Sequence, residues 1–415
     1  MNFFNFAHIF RLNKNKTELL KMNFRKACIA LSAVAAGLSS QHAQAQNQIN
    51  GQNIAITTAV PFLRISPDAR SGAMGDVGIA ISPDANAQYW NLGKIPFAKK
   101  KYGISVNYTP WLKDLVPDIF LGYLSGFARF GKDGNQAISG SLRYFSLGNI
   151  NYTDGLGNPT GTGMPREYSL DLGYSRRLSP YLSAGVGLRY IHSALATGQS
   201  VSGVAIKPGN AVAGDVGVFY SRTTELSEDR ASTFNAGATL TNLGSRISYT
   251  STRRDFIPTN LGIGAAYTYK ADVYNKITVA LDVNKLMVPA PEAKTDGSGN
   301  TYYEYPDKSV VSGVFSSFGD PAGLKRLNAS LGAEYWYQDQ FAVRAGYYYE
   351  DKNNGNRKYF TCGLGVRYTM FNLNVAYLVP SGNGTNRNPL SNTLRFSLNF
   401  DFDSFEDFNK SNSEN

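Results

Sequence analysis

Between residues 101 and 401 the chain repeats one unit about fourteen times: some ten residues alternating apolar with small or polar, then a turn. Residues 101–108 are typical, with Tyr102, Ile104, Val106 and Tyr108 on one face and Gly103, Ser105 and Asn107 on the other. Strict period two over that length predicts strands whose faces meet two different environments. Strands of a soluble sandwich run nearer five or six residues, roughly half of what is needed here. A tilted strand crossing a bilayer takes about nine to eleven. Lipid offers no partner for an open strand edge, so such strands have to close into a barrel. The repeat therefore implies an all-β fold, a transmembrane antiparallel β-barrel of about 14 strands in a cell outer membrane.

The first 45 residues stand apart. Met22 reads as the start of translation, with residues 1–21 a mis-annotated upstream extension, because Arg25 and Lys26 then supply a basic n-region. Residues 27–38 form a short apolar core, and Ala43-Gln44-Ala45 is a cleavage site of the A-x-A type. Residues 22–45 are thus expected to be a signal peptide cut between Ala45 and Gln46. Twelve apolar residues are too few for a spanning helix, which needs about twenty.

Removing the leader leaves 35 basic against 30 acidic residues, spread evenly along the chain. That distribution excludes a nucleic-acid surface, which would cluster its cations. Cys362 is the single cysteine left, so no intramolecular disulfide can form. His192 is the single histidine left, which restricts histidine-based catalysis and metal binding. The 41 glycines suit turns and a crowded inner wall, and the 26 Tyr and 24 Phe suit interfacial girdles.

Strands are expected near 101–108, 118–130, 136–147, 167–176, 181–192, 211–221, 232–242, 259–269, 275–284, 326–337, 341–349, 358–368, 371–378 and 392–402. Leu261, Ile263, Ala265, Tyr267 and Tyr269 compose one outward face, and Phe360, Cys362, Leu364, Val366 and Tyr368 another. The opposite faces carry Arg143, Asp171, Arg189, Asp215, Asp282, Arg344, Arg367 and Arg395. A charge facing mid-bilayer costs about 2–4 kcal/mol, so these residues mark the lumen. The segment 118–130 alternates least clearly. Connections after even strands are short and those after odd strands longer. That is the asymmetry of periplasmic turns and extracellular loops, with both termini periplasmic.

Ahead of the barrel (99–402) lies a non-alternating, Gly-rich segment, 46–98, expected to plug the lumen; a polar periplasmic tail, 403–415, follows it. The segment contains Phe62-Leu63-Arg64, the run Ser71-Gly-Ala-Met-Gly-Asp-Val-Gly78, and Tyr89-Trp90-Asn91. The run lacks the Gly-Lys-Ser/Thr of a phosphate loop and reads as close backbone packing. Tyr89-Trp90-Asn91, closing a Gly- and Ala-rich stretch before the first strand, resembles the FadL superfamily of fourteen-stranded barrels. In that superfamily this stretch folds back as a plug. Its usual Asn-Pro-Ala is replaced here by Asn91-Leu-Gly-Lys94.

A closer resemblance spans nearly the whole mature chain. It is carried by Ala59-Val-Pro-Phe-Leu-Arg64, Ile65-Ser-Pro-Asp-Ala-Arg70 and the Gly-rich run. Tyr108-Thr-Pro-Trp-Leu112, Ser141-Leu-Arg-Tyr-Phe-Ser146 and Asp282-Val-Asn-Lys-Leu286 extend it. These motifs resemble the PorV family, outer-membrane barrels of the Bacteroidetes type IX secretion system. The resemblance implies a chain that does not itself form the export pore. It would associate with the giant translocon barrel, receive secreted cargo proteins by their C-terminal domains, and pass them to a sortase-like attachment complex.

The connection 285–325 carries a further candidate. Asp307 is placed to cap a short helix in which Val310, Val314 and Phe318 repeat at four-residue spacing, with Val311 and Phe315 beside them. Such a stripe either caps the barrel's own mouth or docks a partner or cargo. Asp296-Gly-Ser-Gly-Asn300 lacks the sixth-position glycine and final Glu of a calcium loop, so no metal is expected. No cofactor and no catalytic constellation is visible. The alternatives are a FadL-like transporter of hydrophobic small molecules, needing an apolar lumenal pocket, and an enzyme within the barrel, needing a nucleophile with an activating base.

Overall fold

Fourteen antiparallel strands close on themselves, each hydrogen-bonded to its neighbours in chain order. They are β1 (Tyr102–Pro110), β2 (Ile119–Phe130), β3 (Gln136–Leu147), β4 (Arg166–Arg177), β5 (Leu182–Ala194), β6 (Gly209–Glu225) and β7 (Ala231–Gly244). The circuit continues with β8 (Asn260–Lys270), β9 (Asn275–Leu286), β10 (Leu327–Tyr337), β11 (Phe341–Glu350), β12 (Lys358–Tyr368), β13 (Phe371–Val379) and β14 (Leu394–Phe402). Closure comes from β1 on β14, with Tyr102 opposite Phe402 and Tyr108 opposite Phe396. This computed structural model describes residues 57–404 apart from 112–117, 154–155, 202, 252, 298, 300, 305, 320–325, 352–354 and 380–392. The cleavage site Ala45/Gln46 and most of the polar tail lie outside the described residues.

Every expected strand is present, including the weakly patterned β2, which pairs in unbroken register with β1 and β3. The register explains the alternation. Tyr144, Tyr168, His192 and Asn210 stand opposite one another on successive strands and all face outward. On the outward face of the fourteen strands the charged residues are Arg166, Arg176, Arg222, Lys285 and Lys358, all at strand ends. Mid-strand outward positions carry aliphatic, aromatic and small residues, as the cost of charge in hydrocarbon demands.

The long connections are more ordered than their sequence suggests. Short hairpins pair Ile150–Thr153 with Pro159–Gly163, Ser200–Val201 with Val204–Ala205, and Glu292–Thr295 with Thr301–Glu304. One irregularity interrupts the wall: register shifts between Gly214 and Val216 on β6, where Asn242 on β7 adopts φ 56°. Asp215 secures this bulge by accepting the Asn242 backbone N–H at 2.7 Å.

Residues 57–98 do not join the sheet. They form 3₁₀ turns at Pro61–Arg64 and Leu92–Phe97 and two short helices, α1 (Ala69–Ala73) and α2 (Ala87–Trp90), against the inward faces of the strands. The hydrophobic core therefore sits between this segment and the wall. Val60, Phe62 and Leu63 cluster with Leu121, Phe145, Ile191 and Ile257, and Leu92 and Ile95 with Phe127 and Ala137.

Candidate functional site

A backbone laid flat against a barrel wall needs room, and the inward glycines give it. A Cβ on Gly346 of β11 would lie 2.1 Å from the Gly75 nitrogen and the Met74 carbonyl carbon. Within the segment, a Cβ on Gly78 would fall 1.9 Å from the Trp90 ring. The Gly-rich run 71–78 thus serves close packing, as its sequence suggests.

Polar contacts fix the segment once it is there. Arg70 on α1 donates from Nε and Nη2 to both oxygens of Glu334 on β10, at 3.0 and 2.9 Å. Its Nη1 reaches Asp84 at 2.9 Å, while Arg344 on β11 donates to Glu334 at 2.7 Å. Asp282 on β9 takes the backbone N–H groups of Gly78 and Ile79 at 2.7 and 2.8 Å. Asp76 accepts from Arg395 on β14 at 2.5 Å and from the Tyr359 hydroxyl on β12 at 2.7 Å. Arg189 pairs with Asp171 and Asp215 within the wall. Lumenal charges therefore satisfy one another or the segment's backbone.

Arg143 is of the second kind: among the described residues it pairs with no carboxylate, but Nη1 donates to the Leu63 carbonyl of the segment at 3.0 Å, and the group lies 4.4 Å over the Tyr89 ring.

The residues singled out from sequence take distinct places. Phe62 and Leu63 are buried in the core. Trp90 donates from Nε1 to Asp68 at 2.7 Å, and the other oxygen of Asp68 caps α1 through the Ser71 N–H at 2.8 Å. Asn91 caps the following turn through Gly93 and donates to the Ile79 and Val218 carbonyls at 3.2 and 3.0 Å. Lys94 is fully buried and donates to the Gly78 carbonyl at 2.6 Å. Burial lowers its pKa to about 8. Arg64 and Tyr89 line a polar cavity of about 100 Å³ shared with Asp76, Trp90, Asn242 and Arg357. Arg70, Glu334 and Lys94 escaped sequence reasoning, since nothing local marks a partner 264 residues away.

Connection 285–325 forms helix α3 (Val310–Ser316). Its cap is Ser309, whose hydroxyl accepts from the Ser312 N–H, whereas Asp307 pairs with Arg246 at 2.5 Å. The helix is too short to run the stripe through Phe318, and the four residues divide. Val310 packs against Phe256, Leu286 and Val288 at the mouth, and Val314 is buried at 9% exposure. Phe315 and Phe318, at 70% and 57%, face solvent with Val311. His192 stacks on Tyr168 at 4.8 Å and bonds Asn210, a girdle arrangement.

A family model described as type IX secretion system protein PorV matches residues 47–293, more than half of the chain. No curated protein sequence matches. Among solved structures, the toluene transporter TodX of Pseudomonas putida is 11% identical, over 81% of this chain and 99% of its own, with a TM-score of 0.48. The Ralstonia pickettii toluene transporter TbuX gives 11%, 81%, 98% and 0.47. A Pseudomonas aeruginosa FadL homologue gives 11%, 85%, 100% and 0.41.

Proposed function

This chain belongs to the PorV family of type IX secretion components and resides in the outer membrane, and we propose that it acts there as a cargo-receiving barrel rather than as the export pore. In this reading it takes secreted proteins by their C-terminal domains as they leave the giant translocon barrel, and delivers them to the sortase-like attachment complex. The observation that carries the reading is the filled lumen. Residues 57–98 occupy it through the Arg70–Glu334–Arg344 network and the Asp282 clamp, so the chemistry available to a partner lies at the extracellular mouth. There α3 is seated by Val310 and Val314 and presents Val311, Phe315 and Phe318, an apolar group suited to a protein surface.

A FadL-like route for hydrophobic molecules finds less support. The lumenal cavity is lined by Asn242, Asn260, Asn284, Asn328 and three arginines, an environment that penalises an apolar ligand. The family is one of secretion components, not of enzymes.

Affinity purification from the native outer membrane tests the proposal. Co-purification of a giant barrel and of secreted proteins with intact C-terminal domains supports it. Recovery of the chain alone, or with bound fatty acids, contradicts it.

A further inference from the structure

Three guanidinium groups, Arg64, Arg189 and Arg357, line the lumenal cavity, against one lining carboxylate, Asp76. Their neutralisation is unequal. Arg189 pairs with two carboxylates, Asp171 and Asp215. Asp76 is taken by Arg395 and the Tyr359 hydroxyl. Glu350, at the extracellular end of β11, is held by Arg357, which donates from Nε at 2.6 Å to one oxygen and from Nη2 at 2.9 Å to the other.

Arg64 is left over. Its Nη2 stands 3.8 Å from the Glu350 oxygen already used by Arg357, beyond hydrogen-bonding distance, and among the described residues its guanidinium makes no hydrogen bond. A guanidinium presents five N–H donors in a planar fork that matches oxyanions. Two such groups sharing one carboxylate leave a local excess of positive charge. Burial and the neighbouring Arg357 both push the Arg64 pKa down, the signature of a cation lacking its counter-ion.

The placement of Arg64 is enforced. It ends the 3₁₀ turn Pro61–Arg64, anchored by buried Phe62 and Leu63, and the turn is entered through Val60 at φ 47°. A β-branched residue rarely adopts that conformation, so packing holds the turn against backbone strain. The Arg64 side chain keeps 23% of its surface exposed, so solvent reaches it. The cavity's 100 Å³ accommodates several waters or one small anion, at about 10–15 Å³ per water position. Asn328 and Ser330 on β10 supply neutral donors in the same lining, and the Ser66 hydroxyl, also lining it, is buried without a hydrogen-bond partner among the described residues.

We propose that this cavity is a binding site for a small oxyanion, a carboxylate or a phosphate group, held by Arg64 with Arg357 beside it. The site lies at the extracellular side of the lumenal segment, independent of the exposed apolar group on α3. An anion bound there neutralises the second guanidinium and ties the segment's first turn to the loop that carries Arg357.

The test uses the full mature chain, purified in detergent and titrated calorimetrically with sodium acetate and, separately, with inorganic phosphate. Chloride keeps the ionic strength constant throughout. Wild-type protein is expected to bind at least one anion saturably, and the one bound more tightly identifies the group the site prefers. Arg64→Gln is expected to weaken that binding at least tenfold while keeping the folded, heat-modifiable band, with Arg64→Lys intermediate and Lys132→Gln, at the opposite rim, unchanged. Absence of saturable binding in the wild type overturns the proposal whatever the variants do. Wild-type affinity in a folded Arg64→Gln overturns it equally.

Discussion

Removing Arg70 separates the lumenal segment from the wall with a calculable effect. Arg70 gives Glu334 two hydrogen bonds and Asp84 a third, all in a buried setting, and Arg344 alone cannot replace them. Taking one partner out of a buried ion pair costs about 3–5 kcal/mol, because the remaining charge stays desolvated. At 1.4 kcal/mol per tenfold, that is about two to three and a half orders of magnitude in the population of the undocked segment. The barrel is spared, since its closure depends on backbone ladders that Arg70 does not enter. Arg70→Met should therefore retain heat-modifiable mobility yet open to ions in planar bilayers, with residues 57–98 more accessible to protease. Arg70→Lys, which keeps the charge but loses the bidentate geometry, should lie between. A folded Arg70→Met barrel as closed and as protected as wild type would refute the reasoning. Loss of the folded band would show that the network supports the barrel itself.

Further outcomes are expected from the same geometry. Gly346→Ala should displace the segment or prevent folding, because its Cβ would meet backbone at 2.1 Å, whereas Gly122→Ala, with its nearest neighbour at 3.9 Å, should be silent in the same conductance assay. Burial lowers the Lys94 pKa to about 8, so the undocked state binds more protons between that pH and the ordinary lysine value of 10.5. Docking should thus strengthen as pH rises through this window, and Lys94→Met should flatten that part of the proteolysis–pH profile. Phe315→Ser with Phe318→Ser should leave the folded band intact but reduce recovery of cargo, whereas Val314→Ser should loosen the connection 285–325 to protease. Intact-mass analysis of the membrane protein should give a chain beginning at Gln46; retention of residues 22–45 would overturn the leader assignment.

The strands were legible because one physical penalty acts on every second residue. Leu364 and Val366 face lipid while Thr361 and Arg367 face the lumen, and a slip of one residue would expose a charge to hydrocarbon. No comparable rule governs the interior. Arg70 meets Glu334 across 264 residues, and Gly78 meets Asp282 across 204, so neither sequence neighbourhood identifies its partner. Sequence placed Asp282 in the lumen but gave it no backbone to clamp. In the connection 285–325 the helix was visible, but its extent was not. Two residues compete for the cap, and Ser309 wins because Asp307 is drawn to Arg246 from another loop. The helix ends at Ser316, and the apolar residues divide between a seated half, Val310 and Val314, and an exposed half, Phe315 and Phe318.

Binding of an isolated cargo C-terminal domain to the purified barrel in lipid nanodiscs, without the translocon, addresses the proposed role most directly. The account predicts saturable binding that survives Arg70→Met, since the mouth and not the lumen receives the domain, and that falls with Phe315→Ser and Phe318→Ser. A barrel that binds no cargo domain, or binds it only once the lumenal segment is released, would contradict it.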